Sequence, residues 1–143
     1  MMSIYKLKKG FTLIELLLAI ALIGVISTIF LMNLSGLQER TRDTTRKKDL
    51  LTIQTALELY RADAASYPIN LANCNNPIQY ATVTYLKEVP CDPKSSVRYT
   101  YNSTGSPPHS YTLFACLENA NDKEKDTPKK PGCPIASYTV NSP

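Results

Sequence analysis

The chain has 143 residues, of which 43% are hydrophobic and 20% charged, a composition typical of a globular domain rather than a disordered tail. The net charge of +4 includes Lys6, Lys8 and Lys9, and without these three lysines 13 basic side chains face 12 acidic ones. This near-equal balance of charges argues against an obligatory nucleic-acid partner, because phosphate binding needs a clear surplus of lysine and arginine.

A short hydrophilic leader, residues 1–10, precedes a long apolar segment. No charged residue occurs from Leu16 to Gln38. Because a helix rises about 1.5 Å per residue, residues 11–38 can cross a hydrocarbon core of about 30 Å, and we predict a transmembrane helix there. A secretory signal peptide has a shorter apolar region followed by a small-residue cleavage site, and this sequence has neither feature.

Glu15 is the unusual residue of the apolar segment. A carboxylate in an apolar membrane helix costs on the order of 2.5–3.5 kcal/mol, so a partner is expected. Cleavage between Gly10 and Phe11 would create an α-amino group four residues before Glu15, one helical turn away on the same face. We predict that this amine, from the same chain or a neighbour, pairs with Glu15.

A resemblance to type IV prepilins and type II secretion pseudopilins rests on the run Lys8-Lys9-Gly10-Phe11-Thr12-Leu13-Ile14-Glu15-Leu16. The resemblance implies that a prepilin peptidase cuts after Gly10 and methylates the amine of Phe11. It also implies that Glu15 guides docking against the preceding subunit of a filament. The alternative is an uncleaved single-pass anchor carrying an extracytoplasmic binding module, which leaves the spacing of Gly10, Phe11 and Glu15 unexplained.

The same resemblance implies where the protein resides and what it contacts. A precursor would sit in the inner membrane with its N-terminus in the cytoplasm, surrounded by lipid. An assembly platform would then move it into an extracytoplasmic filament of identical or related subunits. The absence of proline from the latter part of the apolar segment favours a pseudopilin over a pilus subunit, whereas the four cysteines depart from the usual major pseudopilin. The sequence leaves that choice open.

The cysteines favour an oxidising compartment, because they are even in number, widely spaced and form no CxxC. Four cysteines allow three pairings. We favour bonds between sequence neighbours, Cys74 with Cys91 and Cys116 with Cys133, because each would close a polar, proline-containing loop. The alternative is four buried thiols.

Residues 39–67 show a helical pattern with no proline before Pro68. Apolar residues recur at spacings of three and four along one stripe, at Leu50, Ile53, Leu57 and Tyr60. The opposite face is predicted to carry polar side chains, at Arg46, Lys47, Asp49, Thr52, Glu58 and Arg61. With the apolar segment, this pattern predicts one helix of about fifty residues.

Two features of this helix bear on partners. The run from Ile53 to Pro68 resembles the corresponding helix end in major pseudopilins and short bacterial pilins. The basic run Arg40 to Lys48 is diluted by acidic residues, and Asp43 is predicted to pair with Lys47 one turn on. This run suits lipid headgroups or neighbouring subunits better than DNA.

Residues 68–143 are predicted to form a small disulfide-stapled, β-rich head. Tyr85 to Pro90 reads as a short helix or turn. Alternation predicts a hairpin of residues 97–102 and 110–117 joined by a long turn, and residues 135–140 add a third strand. The fold class is therefore α+β, a long helix packed on a small antiparallel sheet, as the resemblance to pilins also implies.

Catalysis, cofactors and metals have little support in the sequence. The single histidine, His109, is predicted to be an exposed turn residue, and no nucleophilic motif accompanies it. Acidic residues at positions 122, 124 and 126 alternate with Lys123 and Lys125, which oppose a dication. Major pseudopilins typically bind calcium in this region, but we do not predict a metal site here.

Overall fold

The computed structural model describes residues 10–32 and 34–143, so most of the predicted leader lies outside the described residues. The chain divides into two compact units between Ser35 and Gly36. The N-terminal unit contains helix α1, Leu13–Met32, and the C-terminal unit is built on helix α2, Leu34–Ala64. The single helix of about fifty residues stays a prediction, because Asn33, between α1 and α2, lies outside the described residues.

Helix α1 is apolar around its whole circumference. Its large side chains up to Ile26 are all exposed, from 56% at Leu17, Leu22 and Ile26 to 79% at Leu13. Besides Glu15, its polar side chains are Ser27 and Thr28, and both bond back to the helix. The Ser27 hydroxyl donates to the Ile23 carbonyl and the Thr28 hydroxyl to the Val25 carbonyl, both at 2.7 Å. No helix within residues 10–32 and 34–143 is long and apolar enough to cross a membrane.

Helix α2 forms one side of the core. The predicted stripe is confirmed, because Leu50, Ile53 and Leu57 are fully buried and Tyr60 packs against them. The helix ends at Ala64, four residues before Pro68, and Ala65 takes a left-handed conformation with its N–H bonded to the Arg61 carbonyl. A left-handed residue at this position is a common helix stop.

Five strands form two antiparallel sheets: β1 (Ile78–Tyr80), β2 (Val83–Leu86), β3 (Thr100–Gly105), β4 (Pro108–Leu117) and β5 (Ala136–Asn141). Strands β1 and β2 form a hairpin, and β3-β4-β5 form the larger sheet with β4 in the centre. In this sheet, Leu113 faces Tyr101 on one side and Val140 on the other.

The core joins α2 to the larger sheet through apolar and tyrosine side chains. Leu50, Ile53 and Leu57 of α2 share one buried cluster with Tyr99, Tyr111, Leu113, Ala115 and Val140. Glu58 anchors two tyrosine hydroxyls at the end of the helix, because Tyr67 and Tyr111 both donate to its carboxylate, at 2.9 and 3.1 Å. The predicted α+β class is confirmed.

Three local predictions need correction. Tyr85 and Leu86 belong to strand β2, at the start of the stretch from Tyr85 to Pro90 where we expected a short helix or turn. The hairpin of β3 and β4 turns tightly at positions 106 and 107, because β3 continues to Gly105, whose φ of 103° suits glycine. His109 is exposed as predicted but lies in β4.

One of the two favoured disulfides is present. Cys116, near the end of β4, is bonded to Cys133, 17 residues further along the chain. The bond fixes the charged loop of residues 118–130 to the end of β4, the central strand of the larger sheet. Cys74 and Cys91 are free thiols of intermediate exposure, so the favoured bond between them is not formed in this structure. The alternative of four buried thiols is wrong, because Cys116 and Cys133 are bonded.

Candidate functional site

The predicted processing segment folds into a helix N-cap. Thr12 immediately precedes α1, and its backbone N–H and hydroxyl both donate to the Glu15 carboxylate, at 2.9 and 2.8 Å. In return the Glu15 N–H donates to the Thr12 hydroxyl at 3.4 Å. This reciprocal pattern is a capping box, in which two N–H groups at the helix start are satisfied.

The capping box gives Glu15 a partner that the sequence reasoning missed. We predicted an α-amino group at Phe11, whereas here the carboxylate is bonded to Thr12, the next residue. The signal was the spacing Thr-x-x-Glu before an apolar run. Because the two Thr12 contacts approach one carboxylate oxygen, Oε2, the other oxygen is left for a second partner. The amine therefore stays a prediction.

The bond before Phe11 is sterically accessible. Gly10 is exposed, and a Cβ built on it meets no atom within 4 Å. Phe11 is 82% exposed. Both residues precede the first turn of α1, so a protease could bind an extended backbone here without unwinding the helix.

A buried ion network ties α2 to the rest of the C-terminal unit. Arg46 lies at its centre and contacts Asp43 at 2.7 Å, Glu118 at 2.8 Å and Asp92 at 2.5 Å. Arg42 adds a bidentate contact to Glu118, at 2.8 and 2.7 Å. We call these five residues and Lys94, which also contacts Glu118, the Arg46 network.

Arg46 was predicted to lie on the polar face of α2, opposite the buried stripe, but its side chain is buried. Its side chain is only 4% exposed, because three carboxylates from different parts of the chain converge on it. Asp43 is as deeply buried and accepts the backbone N–H groups of Glu118 and Asn119, at 3.0 and 2.8 Å. These contacts fix the end of β4 to α2.

Lys47 has a different partner from the one predicted. It contacts Asp122 at 2.6 Å and Glu124 at 2.7 Å, in the charged loop after β4, instead of Asp43. Asp43 pairs instead with Arg46, the residue before Lys47. The ammonium group of Lys47 therefore neutralises the acidic loop from the helix side. Among residues 10–32 and 34–143, no cluster of His, Cys, Asp and Glu side chains is arranged to hold a metal.

The basic run of α2 is thus largely used within the chain. Arg42, Arg46 and Lys47 each bond to carboxylates of the C-terminal unit. Arg40 and Lys48 point away as exposed side chains. Of the basic residues that we expected to contact lipid headgroups or neighbouring subunits, only Arg40 and Lys48 therefore stay candidates.

The Arg46 network lowers the pKa of its carboxylates. Hydrogen bonding to Arg42, Lys94 and Arg46 holds the pKa of Glu118 well below its usual range. Burial alone would raise the pKa of Asp92, but the Arg46 guanidinium outweighs it and lowers that pKa to about 2. Burial would likewise raise the pKa of Asp122, but the hydrogen bond from the Lys47 ammonium group outweighs burial and lowers that pKa.

Acid should therefore destabilise the C-terminal unit. Groups with a lowered folded-state pKa contribute stability above the unfolded pKa, about 4, and lose it as the pH falls through the folded value. We expect the free energy of unfolding to fall steadily from pH 5 to pH 2. Urea unfolding of the full chain in detergent, followed by circular dichroism, measures this.

The control for the acid experiment is Glu118→Gln, which cannot titrate. This variant is expected to be less stable at pH 7 and to lose less stability than the wild type between pH 5 and pH 2. An equal slope in the two proteins would show that the Arg46 network does not control the acid response.

Comparisons with known proteins match two parts of the chain. Residues 5–31 match the prokaryotic N-terminal methylation motif, which contains the capping box. Residues 33–130 match the family described as type II secretion system (T2SS), protein G. No solved structure matches the chain significantly.

Curated relatives carry the name type II secretion system core protein G. The protein of Escherichia coli (strain K12) is 27% identical over 96 residues, which are 60% of this chain and 66% of that protein. The protein of Pseudomonas aeruginosa (strain PAO1) is 25% identical over 131 residues, 83% of this chain and 92% of that protein. The match thus spans just under two thirds of the first relative and most of the second.

Proposed function

Since the chain belongs to the type II secretion system protein G family, we propose that it is a pseudopilin cleaved between Gly10 and Phe11, N-methylated on Phe11 and polymerised through its N-terminal helix. Family membership also favours a secretion system over a pilus, the choice that the sequence left open. The chain is a pilin-like subunit of a secretion system, and its family is structural, not enzymatic.

The observation that carries the assembly step is the uncovered apolar surface of α1. Eleven large apolar side chains between Phe11 and Ile26 are more than half exposed in the single chain. Burying each is worth roughly 1.5–3 kcal/mol relative to water, so this surface needs lipid or neighbouring helices. The bonded hydroxyls of Ser27 and Thr28 suit either environment, because they leave no donor unsatisfied.

Lipid is the covering that we propose before assembly. Residues 11–38 carry Glu15 as their only charged residue, and we propose that they anchor a precursor in the inner membrane with its N-terminus in the cytoplasm. On assembly each helix would exchange lipid for similar helices, which costs little because lipid tails are as apolar as leucine. The difference would come from Glu15, which gains an amine partner.

The proposed partners follow from these steps. Prepilin peptidase would act on Gly10 and Phe11, an assembly platform would extract the mature chain, and identical or related subunits would surround it in an extracytoplasmic filament. The accessible bond before Phe11 and the methylation motif over residues 5–31 support the first step. The rival proposal is an uncleaved, membrane-anchored binding module.

Intact mass of the protein from its native membrane tests the proposal. We expect a mature chain that begins at Phe11 and carries one methyl group on its amine, confirmed by N-terminal peptide sequencing. A chain that keeps residues 1–10 in cells with active prepilin peptidase would contradict the proposal and favour the uncleaved module.

Glycine substitutions supply the matched controls. Gly10→Val places a branched side chain next to the scissile bond, so this variant is expected to remain at precursor length. Gly24→Val adds the same side chain within α1, where a Cβ meets no atom within 4 Å, and should be processed normally. Equal processing of both variants would show that cleavage does not occur at Gly10.

A further inference from the structure

The two free cysteines lie on neighbouring segments held together by backbone bonds. The Asn75 N–H donates to the Val89 carbonyl and the Val89 N–H donates to the Asn76 carbonyl, both at 2.9 Å. Val89 is fully buried, so the pairing is anchored in the core. Because the segments run antiparallel, this register sets Cys74 opposite residues 90 and 91.

The Cys91 thiol lies beside the segment that carries Cys74. The Cys91 thiol points toward the Asn75 side-chain oxygen at 3.9 Å, next to Cys74. Burial and hydrogen bonding to the Cys91 thiol raise the pKa of Cys74 to about 11. Facing residues of an antiparallel pair have Cβ atoms about 4.5–5.5 Å apart, close to the spacing that a disulfide needs.

The pair also matches the disulfide that is already present. Cys116 and Cys133 are 17 residues apart. Cys74 and Cys91 have the same separation, and both pairs enclose a proline-containing loop. A chain that carries one disulfide passes through a compartment in which a second dithiol can be oxidised.

We propose that Cys74 and Cys91 form a dithiol–disulfide pair that closes by exchange with an external disulfide, either that of an oxidised thiol oxidoreductase or a small disulfide such as oxidised glutathione. One protein thiolate attacks the external disulfide and forms a mixed disulfide, releasing the first external thiol. The second protein thiolate then attacks the mixed disulfide and releases the second external thiol. The two cysteines lose two electrons and two protons, and the external disulfide is reduced to two thiols.

Closure would connect two parts of the C-terminal unit. Cys74 lies in the segment after α2, where the Leu71 and Asn73 oxygens accept bonds from Arg98. Cys91 directly precedes Asp92, which pairs with Arg46. A bond between them would fasten the β1–β2 hairpin at its base and hold Asp92 in the Arg46 network. This proposal does not depend on filament assembly.

Counting thiols by intact mass tests the proposal on the full chain in detergent. The protein is incubated in reduced or oxidised glutathione, acid-quenched and alkylated with N-ethylmaleimide. We expect two maleimide adducts after the reduced incubation and none after the oxidised one, with no bound glutathione. Tryptic mapping should join the peptides of Cys74 and Cys91, and the closed form should melt roughly 10 °C higher.

Cysteine variants separate closure from general oxidation. Cys74→Ser should leave Cys91 as a mixed disulfide with glutathione, one adduct per chain. The double variant Cys116→Ser, Cys133→Ser should still close the Cys74–Cys91 bond if it folds, and the wild-type measurement stands if it does not. Two maleimide adducts or two bound glutathiones on the oxidised wild type, or a peptide joining Cys74 to Cys116, would overturn the proposal.

Discussion

Replacing Glu15 by glutamine is expected to abolish filament formation while leaving cleavage after Gly10 intact. Glutamine keeps the size of the side chain and an oxygen that can accept the Thr12 N–H, so the capping box is preserved. Only the negative charge is lost. If that charge pairs with the amine of Phe11 in the filament, its loss weakens every docking step.

The expected effect is large because the proposed docking would take place in an apolar environment. A carboxylate in a membrane helix costs on the order of 2.5–3.5 kcal/mol, and pairing with an amine would relieve that cost only in the assembled state. A loss of about 1.4 kcal/mol already changes each association constant tenfold. Since a filament repeats the step at every subunit, assembly should fall below detection.

The matched control is Thr12→Ala, which removes the cap and keeps the charge. Losing an N-cap hydroxyl costs about 1 kcal/mol of helix stability, a smaller effect that should leave assembly reduced but detectable. Sheared filaments are quantified by immunoblot and electron microscopy, and processing is followed by intact mass. Wild-type filament levels in the Glu15→Gln variant would show that docking does not use the charge.

The features that the sequence predicted well are those with a short, repeating pattern. The stripe of Leu50, Ile53 and Leu57 follows the helical period, and the burial of these side chains is set by that period alone. Strand β4 was predicted within two residues of its start because its apolar residues are concentrated there. The neighbouring hairpin of β1 and β2 was missed, because its turn begins with Ala81 at a φ of 50° and lacks the usual glycine or asparagine.

The charged contacts could not be predicted because their partners are remote in the chain. Arg46 meets Asp92 and Glu118, which are 46 and 72 residues away. A helical wheel places Arg46 among polar neighbours and predicts an exposed side chain. Only the folded sheet brings the end of β4 over that turn of α2 and buries the guanidinium. The capping box at Thr12, in contrast, was readable from a spacing of three residues.

Arg46→Ala should destabilise the C-terminal unit by about 3–5 kcal/mol, the cost of breaking a buried ion pair from one side. The variant leaves the Asp43 carboxylate, 2% exposed, and Asp92 without their guanidinium partner. Arg46→Lys should recover only part of the loss, because an ammonium group cannot reproduce the planar contacts to three carboxylates. Domains of this size have total stabilities of roughly 5–15 kcal/mol, so the variant would be close to unfolding.

Urea unfolding of the full chain in detergent measures the change, and Arg40→Ala is the matched control. Arg40 is an exposed arginine of the same helix, so its removal should change the free energy of unfolding by no more than about 0.5 kcal/mol. If Arg46→Ala were as mild as this control, the Arg46 network would not hold α2 to the sheet. If it is as severe as expected, the buried charges hold α2 to the larger sheet of the C-terminal unit, and they do so only at a pH where the carboxylates of Asp92 and Glu118 remain ionised.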